Sequence, residues 1–348
     1  MKVFIKKGVL ALVAIVACQS LVFAETKPLR IGWVFAMANA PVVIADKKGF
    51  FKDEGLEVKI IEFASGPLLN QAMAANELDM AYVGAPPAYH WFSRGLENKI
   101  LAKVNYGQEA VIARKDSGIN TIADLKGKKM AGVRKGSGAD VLLRGYVLGE
   151  VGKIEPDKDV TVVQMPTGNM PAAVEEKVVD AAYIWEPFTS QSLARGNTKI
   201  ILDINAELPQ HPWYVVIAPP SALKDRKEDV VKALHAHKRA VEFLNSAPTA
   251  GSDIIAAAFK LAAITDASGK EHTPADIVAA ARTRLGWGYE LTAGDKEFIQ
   301  RLMNYSLALG FIKKEMKPDD LTDTSYMQEA VMKDAPKKAE PKKASKKK

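Results

Sequence analysis

The chain has 348 residues, 48% of them hydrophobic and 26% charged, which is enough apolar surface for one large or two medium cores and too much for a disordered chain. Its formal charge of +7 sits at the ends: residues 1–24 carry +3 and residues 333–348 carry +6, leaving −2 over residues 25–332. A mildly acidic body has no electrostatic footprint for phosphate backbones, which excludes nucleic-acid binding as its main business.

The opening reads as an export signal over residues 1–24. Lys2, Lys6 and Lys7 precede an apolar run from Val9 to Cys18, and Val22-Phe23-Ala24 offers small residues for cleavage after Ala24. The run is shorter than the ~20 residues a membrane-spanning helix needs. Ile15-Val16-Ala17-Cys18 also resembles the lipobox of bacterial lipoproteins, so a lipid anchor on Cys18 stays open beside a freely periplasmic product. Cys18 is the single cysteine; residues 25–332 therefore offer no disulfide, no thiol nucleophile and no cysteine-based metal site.

Strand-like runs then alternate with helical ones. The pattern predicts strands over 29–34, 56–62 and 79–83 with helices from Pro41, over 66–76 and from Pro86. It restarts with strands over 129–133, 160–165 and 181–185 and helices over 139–151, over 170–177 and from Phe188. Two α/β units with largely parallel sheets follow from that alternation. A strand over 213–218, ahead of Pro219-Pro220, closes the second unit. Beyond Leu223 the periodicity is helical over 228–244, 252–263, 274–285 and 292–309, with no further strand of consequence. These helices pack back on the first unit. The expected plan is a first lobe made of 25–113 and 213–332, a second lobe of 114–212, and a hinge of two crossings. The Lys-rich stretch 333–348 reads as a disordered, solvated tail, with weak attraction to anionic lipids as its alternative.

The loops between strand ends and helix starts repeat one chemical theme: Asn39-Ala40-Pro41, Ser65-Gly66-Pro67, Gly84-Ala85-Pro86-Pro87, Gly136-Ser137-Gly138 and Pro166-Thr167-Gly168. Small and hydroxyl residues there leave helix N-termini open to a negative group at the place where open α/β sheets bind ligands. Plain helix capping explains any one of them, and their recurrence in both units points to an anion site. Gly136-Ser137-Gly138 has Val141 where a dinucleotide fingerprint needs its third glycine. Trp33, Trp185 and Tyr214 stand at strand ends where rings line a cleft or pack in the core. Asp140 and Glu186 are the acids nearest that cleft, available to an ammonium or spent on capping. His235 and His237 fall on opposite helix faces, and no histidine has metal-ligand or triad spacing. Nothing nominates an enzyme, a metal or a cofactor.

Taken in order, Leu29-Arg30-Ile31-Gly32-Trp33, Gly49-Phe50-Phe51-Lys52-Asp53-Glu54-Gly55-Leu56, Gly84-Ala85-Pro86-Pro87, Ile122-Ala123-Asp124-Leu125-Lys126-Gly127 and Trp185-Glu186-Pro187-Phe188 resemble the periplasmic substrate-binding proteins of taurine, alkanesulfonate and nitrate ABC importers. That family belongs to a superfamily shared with thiamin-pyrimidine synthases. The resemblance implies a type II, two-lobe periplasmic binding fold, monomeric, that closes on a small molecule and hands it to a membrane permease driven by a cytoplasmic ATPase. It implies a pocket formed by Asn39, Ser65, Gly66, Ala85, Pro86, Ser137, Gly138, Thr167, Trp185 and Tyr214. A small organic anion, a sulfonate or related carboxylate, is the expected ligand. The alternatives are a thiamin-pyrimidine-type ring, nitrate or bicarbonate, an enzyme on the same fold, or a sensor that docks on a receptor.

Overall fold

The computed structural model describes residues 27–334. The expected leader 1–24, Cys18 and the tail from residue 335 lie outside the described residues. The first half of the chain supplies strands β1 (Leu29–Val34), β2 (Val58–Phe63), β3 (Met80–Gly84) and β4 (Lys99–Lys103). A short β5 (Asn105–Gly107) leads into β6 (Glu109–Arg114). Then come β7 (Lys129–Gly132), β8 (Thr161–Gln164), β9 (Ala181–Trp185), β10 (Thr198–Asp203) and β11 (Tyr214–Ala218).

Two five-stranded sheets result, ordered β2-β1-β3-β11-β4 and β10-β6-β9-β7-β8. Strands β1, β2 and β3 are mutually parallel, as are β7, β8 and β9. Each sheet takes in one antiparallel strand immediately after a crossing: β6 runs against β9 and β10, and β11 runs against β3 and β4. Central strands β3 and β9 are buried along their whole length, as helix-covered strands must be. Helices start on prolines, with Pro41, Pro67, Pro86, Pro171 and Pro274 in their first turns, where a missing N–H costs nothing. Capping boxes at Thr273/Asp276 and Thr292/Asp295 set the starts of two late helices, Pro274–Ala281 and Ala293–Ala308.

Four expectations are corrected. β6 belongs to the second sheet, so the first crossing precedes Glu109 and not residue 114; five residues of pairing with β9 draw it across. The strand over 213–218 closes the first sheet, between β3 and β4, and not the second unit. The helix expected over 274–285 ends at Ala281, and Leu285–Trp287 is a strand paired with β5. Three residues are too few to show a period, and tertiary pairing alone makes them a strand. Lastly, Lys333 and Asp334 are docked, not part of a free tail: Asp334 accepts hydrogen bonds from Lys238 Nζ at 2.6 Å and from His235 Nε2 at 2.9 Å.

The crossings are therefore three segments wide: β5, residues 211–213 and Leu285–Trp287. Gly107 is their tightest point. Its φ is +70°, and a Cβ there would run into the Arg284 carbonyl and the Asn205 side chain. Gly107→Ala is expected to cost at least ~2 kcal/mol through strain and overlap, lowering the melting temperature by roughly 4 °C or more. An unchanged melting curve would contradict this account of the crossing.

Candidate functional site

The parallel strands of both sheets end on a common cleft of about 630 Å³, with Val34, Gly84, Gln164 and Trp185 at its wall. That size falls in the range of about 300–1,000 Å³ typical of small-molecule sites. Two helix starts open on it. Gly66 begins the helix Gly66–Ala74, and Gly138 and Ala139 begin a helix that continues, with π-type spacing from Leu143, to Val151. Leading N–H groups at such starts have no intrahelical acceptor and carry the positive end of the dipole. Ser65, which precedes the first helix, makes no capping bond. Ser137, which precedes the second, accepts from Asp140 N at 3.2 Å.

Of the residues singled out from the sequence, Ser65, Gly66, Ser137, Gly138, Thr167, Trp185 and Tyr214 line the cleft. Two of them bring buried polar atoms without a protein partner among the described residues: Ser65 Oγ and Trp185 Nε1. A buried donor left unmade costs about 1–3 kcal/mol, which a ligand acceptor returns. Around these donors the walls are apolar: Phe35, Leu68, Val133, Met165, Phe188 and Trp213.

The remaining six residues do not line it. Trp33 turns into an aromatic cluster with Phe35 and Phe259, at 5.8 and 6.0 Å between ring centroids. Asn39 is fully buried and donates to the Val34 carbonyl at 2.7 Å, fixing the loop after β1. Ala85 N donates to the Trp213 carbonyl, and Pro86 packs across the lobes at Gly138. Their neighbours Gly84 and Pro87 take the lining places.

Asp140 and Glu186 are the informative cases. Asp140 is buried and holds Arg144 Nε at 2.6 Å while accepting from Gly136 N at 2.9 Å. Glu186 is fully buried, binds Arg284 Nε at 2.7 Å and accepts from Ser190 N at 3.1 Å. Burial pushes both carboxyls above their ordinary range, and the adjoining hydrogen bonds and arginines oppose it. Each acid is paired with an arginine, and neither lines the cleft. Removing either arginine would strand a buried charge, so these pairs are fixtures of the fold.

Phe35, Phe188 and Arg134 also reach the cleft, though none is among the thirteen site residues expected from the sequence. Each directly follows or nearly follows a strand end already marked as a site, and that adjacency was the available signal. Arg134 is exposed at the mouth and makes no side-chain hydrogen bond or ion pair among the described residues. With Glu62 on the opposite wall, it is one of two charged residues in the lining. Arg134→Gln is expected to weaken capture of an anionic ligand about three- to tenfold at low salt, with the difference shrinking as salt screens it. Calorimetry at two ionic strengths checks this, and equal affinities at low salt would remove Arg134 from the site.

Comparison with known proteins agrees with this geometry. The NMT1-like family model matches residues 23–259. A Bacillus subtilis (strain 168) protein named as an aliphatic sulfonates-binding protein is 31% identical over 267 residues, covering 72% of this chain and 78% of its own. Among solved structures, the alkanesulfonate-binding protein SsuA of Xanthomonas axonopodis pv. citri, bound to MOPS, aligns with a TM-score of 0.72 at 22% identity, over 86% of this chain and 99% of that one. The desulfurization enzyme DSZB aligns with a TM-score of 0.65 at 15% identity, over 88% and 99%. The two-lobe architecture is thus the periplasmic binding protein fold, and the chain belongs to the NMT1-like family.

Proposed function

We propose that the protein is the extracytoplasmic solute-binding component of an ABC importer and that it captures organic sulfonates lacking a primary ammonium group. The observation that carries this reading is the pair of buried, unpartnered donors, Trp185 Nε1 and Ser65 Oγ, on lining residues, while Asp140 and Glu186 are both paired with arginines. A sulfonate brings three acceptor oxygens and needs neither a metal nor a basic side chain in contact when N–H and O–H groups converge on it. The apolar walls take the carbon body. Helix starts from opposite lobes both contact the head group, so binding shifts the population toward the closed arrangement, with the crossings as hinge. The closed form is what a permease and its ATPase would recognise.

Relatives named as sulfonate-binding proteins support the import role and a periplasmic location, and the charged-then-apolar opening before Ala24 supports export. A four-atom anion such as nitrate would leave most of the 630 Å³ unfilled and the rings without contact. The fold is also shared with an enzyme, but among the described residues the lining holds no histidine or cysteine to act as base or nucleophile. Binding therefore remains the better reading than catalysis.

The test is calorimetry with ethanesulfonate, a longer alkanesulfonate, taurine and nitrate. Alkanesulfonates are expected to bind, with affinity rising with chain length and taurine at least ~10-fold weaker than ethanesulfonate, because the one carboxylate in the lining, Glu62, is solvent-exposed and repays little of the ammonium's lost hydration. Trp185→Phe should weaken alkanesulfonate binding about 10- to 100-fold, the loss of a hydrogen bond to a charged group, with little change in melting temperature. Taurine binding as tightly as ethanesulfonate, or nitrate binding alone, would overturn the assignment.

A further inference from the structure

Beneath the cleft the two crossings are stitched together. Gly107 N donates to the His211 carbonyl at 3.2 Å, Trp213 N to the Asn105 carbonyl at 3.4 Å, and Val104 N to the Tyr214 carbonyl at 2.9 Å. Asn105 Oδ1 adds a bond from Tyr214 N at 2.8 Å. Two side chains join the crossings from either side. Glu109, on the first, is fully buried; His211, on the second, is nearly so. Their facing atoms, Glu109 Oε2 and His211 Nε2, are 3.3 Å apart.

The hydrogen bonding around them fixes a proton count. His211 Nδ1 lies 2.5 Å from the Leu208 carbonyl, which can only accept, so Nδ1 carries a hydrogen. Nε2 then faces a carboxyl oxygen, and the contact is attractive only with one proton between the two atoms. Gln108 Nε2 donates to the other carboxyl oxygen at 3.0 Å, and the Gln108 side chain lies beside that of Tyr214, a residue of the cleft lining. Gln108 itself has φ +113°, a region that strains a residue with a side chain. A line of contacts thus runs from the cleft through Tyr214 and Gln108 to the Glu109–His211 pair.

We infer that Glu109 and His211 are positioning residues, which through one shared proton hold both crossings and the Tyr214 side of the cleft in the ligand-binding arrangement, so that affinity depends on pH. The inference rests on the ligand reading proposed above. Raising the pH removes the shared proton and sets a buried carboxylate against an imidazole lone pair. The arrangement is therefore weakened as pH rises, and the step belongs to the pair. Burial pushes the Glu109 carboxyl above its ordinary range, with His211 opposing, so its contribution is present at low pH and lost as pH rises.

The surrounding groups do not supply another proton. Tyr183 from β9 and Tyr214 from β11 face Glu109, and burial holds both hydroxyls well above their ordinary range, so both stay neutral. From the helix Ala293–Ala308, His211 meets the Phe298 ring at 5.2 Å, and Trp213 lies at 6.3 Å. Arg284, whose main chain passes Gly107, turns its guanidinium to Glu186. Among the described residues, His211 is the one basic partner within ion-pair distance of Glu109.

The experiment is calorimetry of ethanesulfonate between pH 5 and pH 10 with wild type and Glu109→Gln; the sulfonate itself stays anionic throughout. Wild-type affinity is expected to fall about tenfold by pH 10, whereas Glu109→Gln, whose amide donates to Nε2 at any alkaline pH, keeps its affinity there. An equal alkaline fall in both would overturn the inference. NMR titration of the His211 ring without ligand, assigned by its loss in His211→Gln, reads the pair independently. Glu109→Gln must move that titration, and an unmoved ring signal refutes the shared proton. Wild type that binds no sulfonate at any pH would refute the ligand reading and leave the ring titration to decide the pair.

Discussion

The chain passes between its sheets at Asn105–Glu109 and returns at His211–Tyr214, and the geometry of the cleft depends on how those passages are held. Each passage delivers one antiparallel strand into the sheet it enters, β6 into the second and β11 into the first. That exchange makes each sheet partly the property of the other lobe's chain. Strand ends that form the cleft wall are therefore one or two residues from the hinge itself. Trp185 pairs in register with Glu109, and Tyr214 pairs with Gly84. The cleft wall and the crossings are thus joined directly through paired strand residues.

Charge pairing decides what the cleft can accept. Between the lobes, buried charges are met inside the protein: Asp140 by Arg144, and Glu186 by Arg284, which crosses from the C-terminal segment to the second lobe. Elsewhere Asp79 gathers Arg30 and Arg226 where the first sheet begins; burial opposes its ionisation, yet these arginines hold its carboxyl below the usual range. On residues lining the cleft, the buried side-chain atoms the fold leaves unmatched are Trp185 Nε1 and Ser65 Oγ, among the described residues. The charged residues left in the lining are Arg134 and Glu62, both exposed and on opposite walls.

The alternation of strand and helix periods made both α/β units legible, because parallel strands covered on both faces must read as continuous apolar runs. Seven of the thirteen proposed site residues reach the cleft, all at loop positions between a strand end and a helix start or on the strand end itself. The misses have physical causes. Asp140 and Glu186 look available in sequence because their arginines lie four and 98 residues away, and the Glu186 pairing is visible only in three dimensions. Trp33 alternates with residues that approach the cleft, and a one-residue choice of face decides its place. Leu285–Trp287 has no period of its own and is a strand only through β5.

The most direct measurement is a crystal structure with an amine-free alkanesulfonate bound. The account predicts sulfonate oxygens within hydrogen-bond distance of Trp185 Nε1 and of an N–H at the Gly138 helix start, with the alkyl chain along Phe35 and Phe188. A sulfonate held only at the mouth by Arg134, or one contacting a single lobe, would contradict it.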